Sequence, residues 1–193
     1  MLNEKLPLCL LLVFISSLYA QPPIEWIRTY DLGSYERFYD IYKISDGGYL
    51  AAGNFSIEYD FYHESAQMLL LRIDNARDVI WSGIYGEEEV PEGAYSIVET
   101  DEGDFIVAGR QGERREAYNR VLKVNSDGDQ IWSRNYARGE SRAIIELKSG
   151  EYLVAGHSNY DGYMLCIDND GEVIWQRTYE RDSRIIYGMR ETE

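Results

Sequence analysis

The side chains in this chain that could do chemistry are its two histidines, its two cysteines and a large excess of carboxylates, 34 acidic against 19 basic residues. His63 and His157, each with acids nearby, offer the donor types of a divalent metal site. They lack a ligand spacing, so no metal site is assigned. Asp168-x-Asp170-Gly171 resembles the start of a calcium loop but is too short for an EF-hand, and a hairpin turn accounts for it. No carboxylate pair has a spacing that sets acid/base geometry. There is no nucleophile elbow, phosphate loop or zinc-protease motif. No catalytic, cofactor-binding or metal-ligating residue is therefore assigned.

A second chemistry is stacking and ion pairing. Tyr59, Asp60, Tyr62 and His63 crowd one segment, Arg114 and Arg115 a second, and His157 opens a third. Rings beside charged groups stack on sugar rings or anchor a protein partner, so these seven residues are the candidate ligand-binding positions. A solvated loop face is the plainer alternative. Asn54-Phe55-Ser56 is a glycosylation sequon.

What positions these segments is an internal repeat. Trp26, Trp81, Trp132 and Trp175 each have a tyrosine four residues on: Tyr30, Tyr85, Tyr136 and Tyr179. A glycine-ended block recurs between them, reading DGGYLAAG to Gly53, EGDFIVAG to Gly109 and SGEYLVAG to Gly156. A third block, LRID, LKVN or LCID, precedes each later tryptophan. Each unit thus holds four strand-like runs, A to D. Run A is 39–44, 95–100 or 142–147, and run D carries the tryptophan. Glycine-rich turns join A to B. Asn/Asp turns join C to D, except in the first unit, which has Asn75-Ala76-Arg77 there. The three candidate segments fall in the B–C loops. Cys166 stands in the column of Arg72 and Lys123, which predicts a partly exposed, unreactive thiol.

Four antiparallel strands per unit predict an all-β, β-propeller-like fold of four-stranded blades, with a β-sandwich as the alternative. Stacking would bury the aligned Ile41, Ile97 and Ile144 between blades, along with the tryptophans. The repeats are expected at about 37–91, 92–139 and 140–182, with partial strands in 21–36 and 183–193. Three blades and two loose ends predict a fragment of a larger ring, with further blades or an anchoring domain downstream.

These motifs resemble the repeats of secreted bacterial and archaeal β-propeller-like proteins. The Gly128-to-Trp132 and Gly171-to-Trp175 elements are more distantly similar to quinoprotein-type propeller repeats. The resemblance implies a fold and an extracellular setting; it implies no cofactor for this chain.

The N-terminus agrees with export. Lys5 precedes an apolar run over 6–15, too short to span a bilayer, and Leu18-Tyr19-Ala20 provides a cleavage site. Residues 1–20 are read as a signal peptide and 21–193 as one repeat domain, secreted to the cell surface or periplasm. No membrane span is expected after its removal. The formal charge of −15 excludes nucleic acid as a partner. The expected function is a non-catalytic extracellular binding or surface-architecture module for a glycan or protein. The alternative is a hydrolase or oxidoreductase domain whose catalytic groups lie partly outside this chain. A passive spacer is a third possibility.

Overall fold

The computed structural model describes residues 26–56, 66–113, 116–180 and 185–191. Among them are twelve strands and no helix. The first sheet holds β1 (Tyr35–Lys43), β2 (Tyr49–Ser56), β3 (Gln67–Ile73) and β4 (Val79–Tyr85). The second holds β5 (Glu92–Glu99), β6 (Phe105–Gln111), β7 (Tyr118–Val124) and β8 (Gln130–Arg138). The third holds β9 (Glu140–Glu146), β10 (Tyr152–Ser158), β11 (Asp161–Ile167) and β12 (Val173–Tyr179). Each sheet is an antiparallel meander in chain order, so the expected all-β architecture of four-stranded blades is present. β5 lies against β1, β2 and β3, and β9 against β5, β6 and β7, so the sheets pack in series. They do not close into a ring.

The period-2 pattern explains which sheet carries most of the core. In β6, Phe105 and Val107 join the cluster shared with the first sheet, among Leu50, Met68 and Leu70. The intervening Ile106 and Ala108 join the cluster shared with the third, among Val154, Tyr163 and Leu165. A strand covered on both faces is apolar throughout, and all seven residues of β6 are buried. Ile97 and Ile144 lie in these two layers as expected, whereas Ile41, on the outer face of the first sheet, is 58% exposed.

The A strands begin two to four residues earlier than the sequence alternation suggests. The cause is a bulge in each: the register slips between Phe38 and Asp40, between Ala94 and Ser96, and between Ser141 and Ala143. One unpaired residue per strand (Tyr39, Tyr95, Arg142) shifts the alternation by one and hides the first half of the strand. The bulge also accounts for the repeated glycines. A Cβ on Gly53 would lie 2.0 Å from the Arg37 carbonyl oxygen, and one on Gly109 or Gly156 would lie 1.9 Å from that of Gly93 or Glu140. Only glycine admits so close a backbone approach.

The first C–D turn keeps the geometry of the others despite its different sequence. Arg77 takes φ +70° where Gly128 and Gly171 take +88° and +78°. Its N–H donates to the Asp74 carbonyl at 3.0 Å, as Gly128 does to Asn125 and Gly171 to Asp168.

These turns are where successive sheets lock. Trp81 Nε1 donates to the Ser126 carbonyl at 2.9 Å and Tyr85 Oη to that of Gly128 at 2.7 Å. Trp132 and Tyr136 make the same bonds to Asn169 and Gly171 at 3.2 and 2.8 Å. Tyr30 repeats the tyrosine half on Arg77 at 2.9 Å, so the segment at 26–30 sits on the first sheet as a D strand would. A second link also recurs. Ser45 N–H donates to Glu99 Oε2 at 2.8 Å, and Lys148 N–H to Glu191 Oε2 at 3.2 Å. Trp81 and Trp132 are therefore packing and docking groups, whereas Trp175 on β12 is 42% exposed.

Cys166 departs from expectation: it is 1% exposed. Its column is buried for its charged members too, with side-chain exposures of 12% for Arg72 and 5% for Lys123. Those charges are tolerated because partners meet them. Arg72 bonds Asp46 and the Ser126 carbonyl, and Lys123 bonds Asn169 Oδ1 at 2.7 Å beside Asp104 at 3.2 Å. Burial pushes the Cys166 thiol up, with Glu151 adding to the effect, which suits an unreactive thiol. The sequon also fails on burial, because Asn54 lies within β2 and is 3% exposed.

Candidate functional site

The bulges turn Tyr39, Tyr95 and Arg142 toward one rim, at the same level of the three successive A strands. Tyr39 and Tyr95 meet edge to face with ring centroids 5.2 Å apart. The Arg142 guanidinium lies over the Tyr95 ring, 4.1 Å from its centroid. Tyr39 remains 42% exposed and Arg142 keeps 27% of its side chain exposed, so the ladder ends in solvent at both sides. Asp40, next to Tyr39, uses its carboxylate on backbone: it accepts from Ile97 N–H at 3.0 Å and Ile41 N–H at 2.9 Å.

Behind Arg142 stands Glu140, 8% exposed at the start of β9. Three cationic or titratable groups surround it. Arg142 binds it directly, Arg110 Nε is 3.9 Å from Oε1, and His157 Nε2 is 4.0 Å from Oε2. Arg110 is itself buried and gives one further bond, to the Gly112 carbonyl at 3.3 Å. Burial lowers the His157 pKa, opposed by Glu140 and assisted by Arg142, so the ring is held neutral. Burial likewise raises that of Tyr95. The Nε atoms of Arg110 and Arg142 and His157 Nδ1 are enclosed without a hydrogen-bond partner. Glu140 therefore leaves the two guanidiniums only partly satisfied.

A second buried ion pair lies at the neighbouring corner. Glu92, 0% exposed, accepts from Gln111 Nε2 at 2.7 Å and faces Arg120 Nε at 3.4 Å. Burial raises its carboxyl pKa against the pull of Arg120 and Gln111. Gln111 also accepts from Asn135 and lines a hollow of about 480 Å³ with Glu87, Glu89, Glu113 and Glu116. On the outer face of the first sheet, Trp26, Tyr30, Ile41, Tyr49, Leu71 and Ile73 line an apolar groove of about 460 Å³.

Of the seven candidate binding residues, the structure places one. Tyr59, Asp60, Tyr62, His63, Arg114 and Arg115 lie outside the described residues. His157 lies in β10 and not in a loop, because the B–C link of the third sheet is only Asn159-Tyr160, both at positive φ. Glu140 and Arg142 face it, and the linked set of Tyr39, Tyr95, Arg110, Glu140 and Arg142 comes from strands of all three sheets. The one sequence signal for them was the alignment of Tyr39, Tyr95 and Arg142 as the first residue of run A. Among the described residues no group of three or more His, Cys, Asp or Glu side chains is placed to hold a metal ion. No helix among them is long and apolar enough to cross a membrane.

No family model matches the chain, and no curated protein is significantly similar to it in sequence.

Proposed function

We propose that this protein is a secreted β-propeller-like repeat protein, of the bacterial and archaeal kind its motifs resemble, acting as a non-catalytic binding or surface-architecture module. The ligand, a glycan or a protein, sits on the rim formed by the bulged residues of the three A strands. The carrying observation is the ladder of Tyr39, Tyr95 and Arg142, which brings exposed aromatic and cationic surface from three repeats to one place. A rigid sheet scaffold presenting a flat ring beside a guanidinium suits recognition without bond making. Export rests on the apolar run over 6–15 and the Leu18-Tyr19-Ala20 site.

Two measurements test the reading. N-terminal sequencing of the protein recovered from the host should begin at Gln21; a start at Met1 counts against export. Glycan-array and pull-down screens with the purified protein should give a ligand whose binding falls in Tyr39→Ala. Silence in both screens counts against a binding module.

An enzyme on the same scaffold draws on one contact, the His157–Glu140 pair at 4.0 Å. It predicts turnover of a bound substrate that His157→Gln abolishes while binding persists.

A further inference from the structure

We infer that the rim binds sugars carrying a carboxylate, with the acid group taken by Arg142 and the sugar ring laid on Tyr39; this rests on the binding-module reading above. The charge count around Glu140 is the starting point. Among the described residues, Glu140 is the one carboxylate within 4.0 Å of Arg110 and of Arg142. Among the described residues, two guanidiniums against this one carboxylate leave a local surplus of one positive charge, in a chain whose formal charge is −15. A buried surplus charge is costly and calls for a counter-ion.

The hydrogen-bond inventory agrees. A guanidinium has five N–H donors in a planar fork. Glu140 takes up one terminal nitrogen of Arg142, so the rest of that fork is not spent on Glu140. A second carboxylate arriving at Arg142 supplies the missing charge by the bidentate geometry that arginine favours. The arginine keeps 27% of its side chain exposed and is therefore within reach. The distributed negative charge of the chain acts weakly here, since exposed charges are screened beyond about 8 Å at physiological salt.

The neighbouring ring decides between an acidic sugar and an acidic peptide. Arg142 already covers the Tyr95 face, and Tyr39 stands edge-on to Tyr95 with much of its surface in water. A flat exposed ring one step from an anion site fits a pyranose bearing its carboxylate on the ring. An aspartate or glutamate side chain would use the arginine and leave Tyr39 uncovered.

Isothermal titration calorimetry with hexagalacturonate and, as the neutral match, cellohexaose tests this on the purified protein. Hexagalacturonate should bind at least tenfold more tightly than cellohexaose. Arg142→Gln should remove that preference. Tyr39→Ala, at a position 42% exposed, should weaken hexagalacturonate at least threefold with its melting temperature close to that of the wild type. Equal binding of the two sugars overturns the acidic class and leaves the glycan-binding reading standing. Silence toward both overturns the acidic-sugar assignment, and the screens above then decide the wider reading. Binding of hexagalacturonate that neither variant changes overturns the site. An acidic peptide that competes equally well in wild type and Tyr39→Ala overturns the sugar in favour of a protein ligand.

Discussion

Trp81 of the first sheet donates its indole N–H to the backbone carbonyl of Ser126 in the second, and Trp132 treats Asn169 of the third in the same way. The bond is made to a carbonyl, so it does not depend on which side chain occupies the turn. That explains how Ser126 and Asn169 serve the same purpose.

Removing one such link should cost what an inter-sheet hydrogen bond contributes. Tyr85→Phe should lower the unfolding free energy by about 1 kcal/mol, because the Gly128 carbonyl loses its partner. Tyr179→Phe should change it by less than about 0.5 kcal/mol, since that residue is 44% exposed on β12. Urea unfolding of the two variants checks the contrast. Burial also pushes the Tyr85 phenol up to about 12, with Asp129 adding to the shift. The folded state keeps a proton that the unfolded state releases near pH 10. Stability from this group is present below pH 10 and lost as the pH rises toward 12. Tyr85→Phe should remove that alkaline loss.

The bulge predicts a sharp difference between two glycines. Gly109→Ala drives a Cβ into the Gly93 carbonyl and should cost about 4 kcal/mol or more. Gly103→Ala meets no atom within 4 Å and strains only a backbone at φ +83°. It should cost about 1 kcal/mol. Equal melting temperatures for the two variants would contradict the bulge assignment.

The Glu92–Arg120 pair should behave as a coupled unit. Glu92→Ala strands Arg120, whose side chain is 10% exposed, and should cost about 3–5 kcal/mol. Adding Arg120→Met should recover most of that loss, because the uncompensated charge leaves with it. A double-mutant cycle by denaturant unfolding measures the coupling, and additive effects would show that the pair does not interact.

His157 should give the fold an acid-sensitive component. Its folded pKa lies below the ordinary 6.5, chiefly through burial. The unfolded chain takes up a proton first as the pH falls through 6.5, so stability declines from there down through the lower folded value. His157→Gln should flatten that part of the profile. Melting temperatures of both proteins between pH 7.5 and pH 5 decide it, and parallel profiles would refute the assignment.

Much of the fold was legible because its signals are local. The spacing of Trp81, Trp132 and Trp175 and the blocks ending at Gly53, Gly109 and Gly156 gave the number of sheets and the order of strands. Strand starts were misplaced by the bulges, since an unpaired residue breaks the alternation from which a strand is read. The site was mostly illegible. Glu140 carried no motif, and His157 was taken for a loop residue.

By itself the sequence determined the repeat, the four-stranded unit and the positions where only glycine serves, because each follows from short-range alternation and turn chemistry. The tertiary structure alone decided which charges are buried and which side chains meet. Glu140 and Arg110 are 30 residues apart, and Tyr39 and Tyr95 are 56 apart. Nothing local brings such pairs together. They meet because sheets stacked in series set equivalent positions of successive units side by side, and because a bulge in each A strand aims one side chain at the same rim.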